Sequence, residues 1–232
     1  MSDGGGDRPG RIATVARVAA SLVLYSHPVS SNALKARFLL AELGLDYEQR
    51  DVSLAFPRPA AYVALNPFGR IPTLVDGELV LAESNAILRY LASREGREGR
   101  DDLYPASPRE RARVDWALDA WSTQVRPALF QLESVALFHR DRETGGGTTD
   151  EADPEAVRER VGPVEEALAK WESFVADNGT VLGRFTIADC AVAPVLWRAL
   201  RLPVDFSPWP KTARLREAAC ARPAFQAAGP VA

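Results

Sequence analysis

The spacing of apolar residues changes once along the chain. Up to about residue 91, short β-type runs alternate with helical stripes; from 109 onward only helical spacing remains. Residues 22–25, Leu-Val-Leu-Tyr, suit a short buried strand, and 26–32 are rich in turn formers. Residues 33–43 carry Leu34, Phe38 and Leu39 or Leu40 on an inward face, with Gly44 placed to end the helix. A second strand is expected at 47–52, and a short irregular helix at 58–65. Residues 71–75 are apolar and β-branched, Asp76-Gly77 is a hairpin turn, and 79–81 returns. Ser84 stands where a helix N-cap belongs, ahead of Ala86, Ile87, Tyr90 and Leu91. The order is β-α-β-α-β-β-α, whose first three elements imply a parallel pair with a right-handed crossover.

The second half reads as helices throughout. Residues 94–102 are charged, contain Gly96 and Gly99 and have no apolar period. Residues 109–140 place Val114, Leu118, Trp121, Val125, Leu129 and Leu132 at threes and fours, with a kink expected at Pro127. A mobile glycine-rich loop is expected at 144–153. Residues 154–177 form the next predicted helix, weakened at Gly162-Pro163. Thr186-x-x-Asp189 is a capping arrangement ahead of a helix apolar nearly all round, which belongs in a core. A last helix is expected at 211–220. The domain reading is a disordered tail at 1–20, an α/β domain at 21–95, a linker at 96–108 and an all-helical domain at 109–232.

Composition narrows the function. The chain has 232 residues and a formal net charge of −3, so it carries no nucleic-acid footprint. No apolar run approaches the roughly 20 residues that span a bilayer. Basic residues precede apolar ones between 11 and 24, but 21–25 is needed as a strand, so no cleavable targeting segment is expected. Cys190 and Cys220 are the only cysteines, which suits a reduced, cytoplasmic compartment and no disulfide framework. No metal-ligand cluster, G-x-G-x-x-G or P-loop is present.

The chemistry gathers around two short stretches. Pro72 heads a strand, where proline marks an edge, a start or a bend. A cis bond after Ile71 would leave the Ile71 amide and carbonyl open to an extended peptide; an ordinary trans proline opening an edge strand is the other reading. Glu83-Ser84 can hold an ammonium and a carboxylate at a helix N-terminus, or act as a simple cap with an acidic neighbour.

Asn66-Pro-Phe-Gly-Arg-Ile-Pro-Thr-Leu74 followed by Glu83-Ser-Asn-Ala-Ile87 closely resembles the N-terminal domain of the glutathione transferases, a thioredoxin-like fold. Thr186-x-x-Asp189 and Arg222-Pro-Ala-Phe225 resemble the capped buried helix and the closing segment of that family. The resemblance spans about 22–225, although the chain is one residue shorter than usual between Gly183 and Thr186. It implies a cis Pro72, Ile71 pairing with the cysteinyl backbone of glutathione, and Glu83 and Ser84 on the γ-glutamyl head. Arg58 aligns with a basic residue that often meets the glycine carboxylate, and Arg70 is the nearer alternative. It also implies a two-fold dimer.

Such a site must activate a thiol. A free thiol has a pKa near ~8.5, and lowering it by two units takes about 2.7 kcal/mol of thiolate stabilisation. A hydroxyl donor and a helix N-terminus both contribute. Tyr25, Ser26, His27, Ser30 and Ser31 are the candidates. Ser30-Ser31-Asn32-Ala33-Leu34-Lys35 resembles the serine-type, bacterial theta/beta-like branch, which places the hydroxyl on Ser30, with Ser31 beside it. Ala33 stands where cysteine is common, which disfavours mixed-disulfide chemistry. Both serines also suit plain helix capping. A small hydrophobic electrophile would sit between the domains, with Trp116, Trp121 and Phe130 as candidate contacts. The resemblance implies a glutathione transferase with glutathione as co-substrate. Isomerase, dehalogenase or peroxidase activity on the same scaffold stays open, as does a non-catalytic binding or regulatory role.

Overall fold

A computed structural model describes residues 22–94, 103–139 and 151–230. The tail expected at 1–20, the linker up to 102 and most of the loop at 144–153 lie outside the described residues.

Four strands form one mixed sheet in the order β2-β1-β3-β4. Strand β1 (Leu22–Ser26) pairs in parallel with β2 (Tyr47–Asp51) and antiparallel with β3 (Thr73–Asp76), which turns at Gly77 into β4 (Leu79–Ala82). Leu24 sits opposite Leu74 at the centre, and both are fully buried. Strand β3 starts at Thr73 and not at 71: Ile71 and Pro72 form a bend ahead of the ladder, joined by a cis peptide bond.

Helix α1 (Ser31–Leu43) crosses between β1 and β2 and ends at Gly44, whose φ of 63° lies in the left-handed region that glycine tolerates. It is buried on nearly every face because the sheet lies on one side and a second-domain helix on the other; even Lys35 and Arg37 are buried. The short helix α2 (Ala60–Leu65) precedes the bend, and α3 (Ser84–Arg94) follows β4.

In the second domain, α4 (Pro108–Ala120) and α5 (Arg126–Ala136) are joined without a break by a π-helical turn at Trp121–Val125. Pro127 lacks an N–H and crowds the preceding turn, and the wider π turn absorbs both defects. Helix α6 (Pro154–Trp171) runs straight through Gly162-Pro163 but stops at Trp171, not at 177. The reason is Glu172, the first residue of a 3₁₀ turn. Its carboxylate accepts from Lys211 N and Thr212 N at 2.7 and 3.0 Å, capping α8 (Pro210–Cys220).

Helix α7 (Ile187–Ala199) is the central post. Its capping box is complete: Asp189, itself buried, accepts from Thr186 N at 2.7 Å and from Val181 N at 2.8 Å, while Thr186 Oγ1 accepts from Ala188 N at 3.2 Å. The shortened segment after Gly183 therefore leaves the cap intact. Helix α9 (Pro223–Ala227) buries Phe225 edge-on against Phe38 of α1. The domains are pinned by Arg222 on Glu42 at 2.5 and 2.8 Å, Asn85 Nδ2 on Ser122 Oγ at 2.7 Å, and Arg89 on Asp115 at 2.6 Å. No helix among the described residues is long and apolar enough to cross a membrane.

Candidate functional site

A cavity of about 590 Å³ opens between the domains. Its floor is the start of α1, where Ser30, Ser31 and Asn32 line it. Ser30 is the N-cap, with extended backbone at φ −82° and ψ 110°, and its Oγ accepts from Ala33 N at 3.2 Å. Accepting that bond leaves the Ser30 hydroxyl proton free to donate. The N–H groups of Ser31 and Asn32 have no partner within the helix, so the floor carries open donors and the positive end of the helix dipole. The other three candidates from the sequence lie elsewhere: Ser26 is wholly buried and does not line the cavity. The Tyr25 hydroxyl accepts from Arg50 at 3.2 Å on the outer sheet edge, and His27 Nδ1 accepts weakly from Val29 N at 3.4 Å. Neither lines the cavity.

One wall is the bend ahead of β3. The main chain of Ile71 pairs with no other backbone group among the described residues. The bend is held from behind: the Arg70 carbonyl accepts from Tyr62 Oη at 2.5 Å and Asn66 Nδ2 at 2.7 Å, and both donors also reach Thr73 Oγ1. From the sequence, Asn66 enters only as the first residue of the motif that carries the family resemblance, and Tyr62 has no part. An asparagine four residues ahead of the carbonyl it holds is the signal that could have found this brace.

Arg58 and Arg70 both line the cavity, in different states. Arg58 Nε donates to the Gly69 carbonyl at 3.0 Å and Nη1 donates to Ser53 and Ala55 carbonyls, so this fork mainly staples the loop. Its guanidinium also lies 4.2 Å from the Phe56 ring centroid. Arg70 is exposed. Ile71 lines the cavity; Pro72, Glu83 and Ser84 lie outside its lining. Ser84 is the first residue of α3 and not its N-cap; Glu83 takes the preceding place, and its carbonyl accepts from Ile87 N at 3.0 Å. Glu83 has φ 67°, a left-handed backbone that costs a non-glycine residue about 1–2 kcal/mol. Strain of this kind gathers at functional sites.

The far wall comes from the helical domain: Arg126 and Phe130 of α5, Phe138 just after it, and Arg198 of α7. Of the three aromatic residues expected there, only Phe130 arrives. Trp121 is wholly buried against Trp171, and Trp116 lines a separate cavity. Behind Arg126 lies Glu133, fully buried, and Lys35 of α1. Burial, with Arg126 nearby, pulls the Lys35 ammonium down to about 7, while Glu133 and Glu83 work in the opposite direction.

Two family descriptions match the chain: the glutathione S-transferase N-terminal domain over residues 20–93 and its C-terminal domain over 154–226. This chain belongs to the glutathione S-transferase family. Among its relatives, maize glutathione S-transferase 3 is 37% identical over 217 residues, covering 89% of this chain and 92% of that one. A maleylacetoacetate isomerase of Pseudomonas aeruginosa is 34% identical, covering 89% and 95%. The solved theta-class glutathione S-transferase of Xanthomonas axonopodis pv. citri, with glutathione bound, superposes with a TM-score of 0.77 at 30% identity, covering 92% and 99%. The two cysteines of this family member are buried, and burial pushes the Cys220 thiol up to about 12 and that of Cys190 well above its ordinary value. Neither is a ready nucleophile.

Proposed function

We propose that this protein is a glutathione transferase that binds glutathione in the interdomain cavity and activates its thiol for attack on a hydrophobic electrophile. The observation that carries the reading is the free hydroxyl proton of Ser30, set at an open helix N-terminus beside the unpaired main chain of Ile71. In this reading Ile71 pairs with the cysteinyl backbone of the tripeptide. Glu83 and Ser84 hold its γ-glutamyl head, and Arg70, with the remaining donor of Arg58, meets the glycine carboxylate. Ser30 donates to the thiolate sulfur, with Ser31 as the neighbouring alternative. The thiol proton passes to solvent, the sulfur lone pair forms the new C–S bond, and the leaving group departs with the electrons of the bond it breaks.

The 34% identity to an isomerase supports a second reading on the same site, in which sulfur adds to a conjugated double bond and later leaves. We also infer a two-fold dimer acting in detoxification in the cytoplasm; two buried free cysteines suit a reducing compartment.

The test is calorimetric titration with glutathione, followed by mass analysis of products with a panel of aryl halides and conjugated enones. Binding with formation of a thioether supports the transferase reading. Binding with geometric isomerisation and no net thioether supports the second. Binding without any turnover leaves a non-catalytic binding protein, and no binding removes glutathione from the account.

A further inference from the structure

The far wall of the cavity is not simply greasy. Glu133 on α5 is wholly buried, and its Oε2 accepts from Arg126 Nη2 at 3.1 Å while lying 3.8 Å from Arg198 Nη1. Two guanidinium groups thus share one carboxylate, which leaves one positive charge over among these three groups; Lys35 and Glu83 stand near the same cluster. Arg126 uses a single N–H in this way; its Nε and Nη1, like Glu133 Oε1, are buried without a partner. Buried guanidinium donors left unmet are costly, so a shift of the Arg126 guanidinium that brings one of them onto an incoming anion is favoured.

The surroundings define the rest of such a ligand. The Arg126 guanidinium lies 5.1 Å from the Phe130 ring centroid, and that of Arg198 lies 5.9 Å from Phe138. All four side chains line the same cavity as Ser30. A molecule whose apolar body rests on the two rings brings its outer end to the two cations. We propose that the second substrate is a hydrophobic electrophile that ends in a carboxylate, its body on Phe130 and Phe138 and its carboxylate on Arg126 and Arg198. This rests on the reading that glutathione occupies the Ser30 side. The carboxylates of glutathione itself are assigned to Arg58 and Arg70, which line the cavity from the first domain, and to the start of α3, which lies outside the lining.

The experiment compares S-(4-carboxybenzyl)glutathione with S-(4-carbamoylbenzyl)glutathione, near-isosteres that differ in charge, and glutathione alone, by calorimetry on the full chain. The carboxylate is expected to bind at least about tenfold more tightly than the amide. In Arg198→Gln and Arg126→Gln that ratio is expected to fall to near one. Equal binding of the two conjugates to the unaltered protein overturns the proposal. A preference for the carboxylate that persists undiminished in both variants overturns the assignment to these arginines. If Arg126→Gln fails to fold because Glu133 has lost its nearest partner, the unaltered protein and Arg198→Gln decide. Failure of glutathione and both conjugates to bind is a separate result, which removes the reading beneath it.

Discussion

The Oγ of Ser30 accepts a hydrogen bond from the Ala33 amide at 3.2 Å. That contact first suggests a purely structural serine, yet it occupies a lone pair and not the proton. One hydroxyl can therefore start α1 and donate toward the cavity at the same time. The two roles separate by mutation. Ser30→Asp keeps a good cap and removes the donor; Ser30→Ala removes both. We expect Ser30→Ala to lose about 1 kcal/mol of stability in urea melts and Ser30→Asp to stay close to the unaltered protein. Both should lose about 100-fold in kcat/KM for conjugation, the usual scale for removing one donor to a developing or stabilised anion. Ser30→Asp with undiminished kcat/KM would reduce Ser30 to a cap.

Glu83 combines a left-handed backbone with a carboxylate assigned to the γ-glutamyl ammonium. Glu83→Gly relieves the backbone and removes the charge, while Glu83→Ala removes the charge and keeps the strain. The expected outcome is that Glu83→Gly holds its stability within about 1 kcal/mol, since the relieved strain offsets the entropy of the unfolded glycine. Both variants should bind glutathione at least about tenfold more weakly, as calorimetry would report. A glycine variant that binds normally would return Glu83 to a purely local role.

Asp189 caps α7, and we expect it to serve the fold and not the chemistry. Burial raises its carboxyl to about 7 against the bonds from Val181, Thr186 and its own backbone that favour the ion. Asp189→Ala leaves the Val181 and Thr186 amides unmet in the core, each at about 1–3 kcal/mol. Thermal and urea melts should show a loss of that order. Activity per folded molecule should be unchanged at a temperature where the variant is fully folded, and a fall in kcat there would contradict the structural role.

Lys35 gives a pH signature. Its folded pKa near 7 lies below the unfolded value of about 10.4, so between these the unfolded chain binds the extra proton. Stability from this group therefore rises with pH across that window, by at most about 1.4 kcal/mol per unit. Lys35→Met removes the term. Urea melts at pH 7 and pH 9 should show the unaltered protein gaining on the variant; parallel behaviour would mean that Lys35 keeps its proton.

Much of this was legible in the residues. The hairpin at Asp76-Gly77, the Gly44 stop and the Thr186–Asp189 cap are local devices, each specified within a few positions, and each is found; the cis bond at Ile71-Pro72 came only with the family resemblance, since the residues alone left cis and trans open. What the sequence missed depends on distant partners. Helix α6 stops at Trp171 because Glu172 is drawn to the start of α8, about forty residues away. The part of Tyr62 depends on where the Arg70 carbonyl falls once the bend has formed. Trp116 and Trp121 stand five positions apart and so face different sides of the helix, one toward a separate cavity and one into the core, and only Phe130 faces the interdomain cavity. The charged wall was hidden for a similar reason. Arg126 and Glu133 stand seven apart on α5, but Arg198 comes from α7, and no spacing within one helix joins all three.

The most direct test of the central claim is the ionisation of glutathione in the cavity, followed by thiolate absorbance in the ultraviolet as pH is raised, for the unaltered protein, Ser30→Ala and Ser31→Ala. The account predicts a bound-thiol pKa well below the free value of about 8.5, which moves back up in Ser30→Ala while glutathione still binds. An identical titration in the unaltered protein and Ser30→Ala, or a bound thiol that ionises as it does in water, would contradict it.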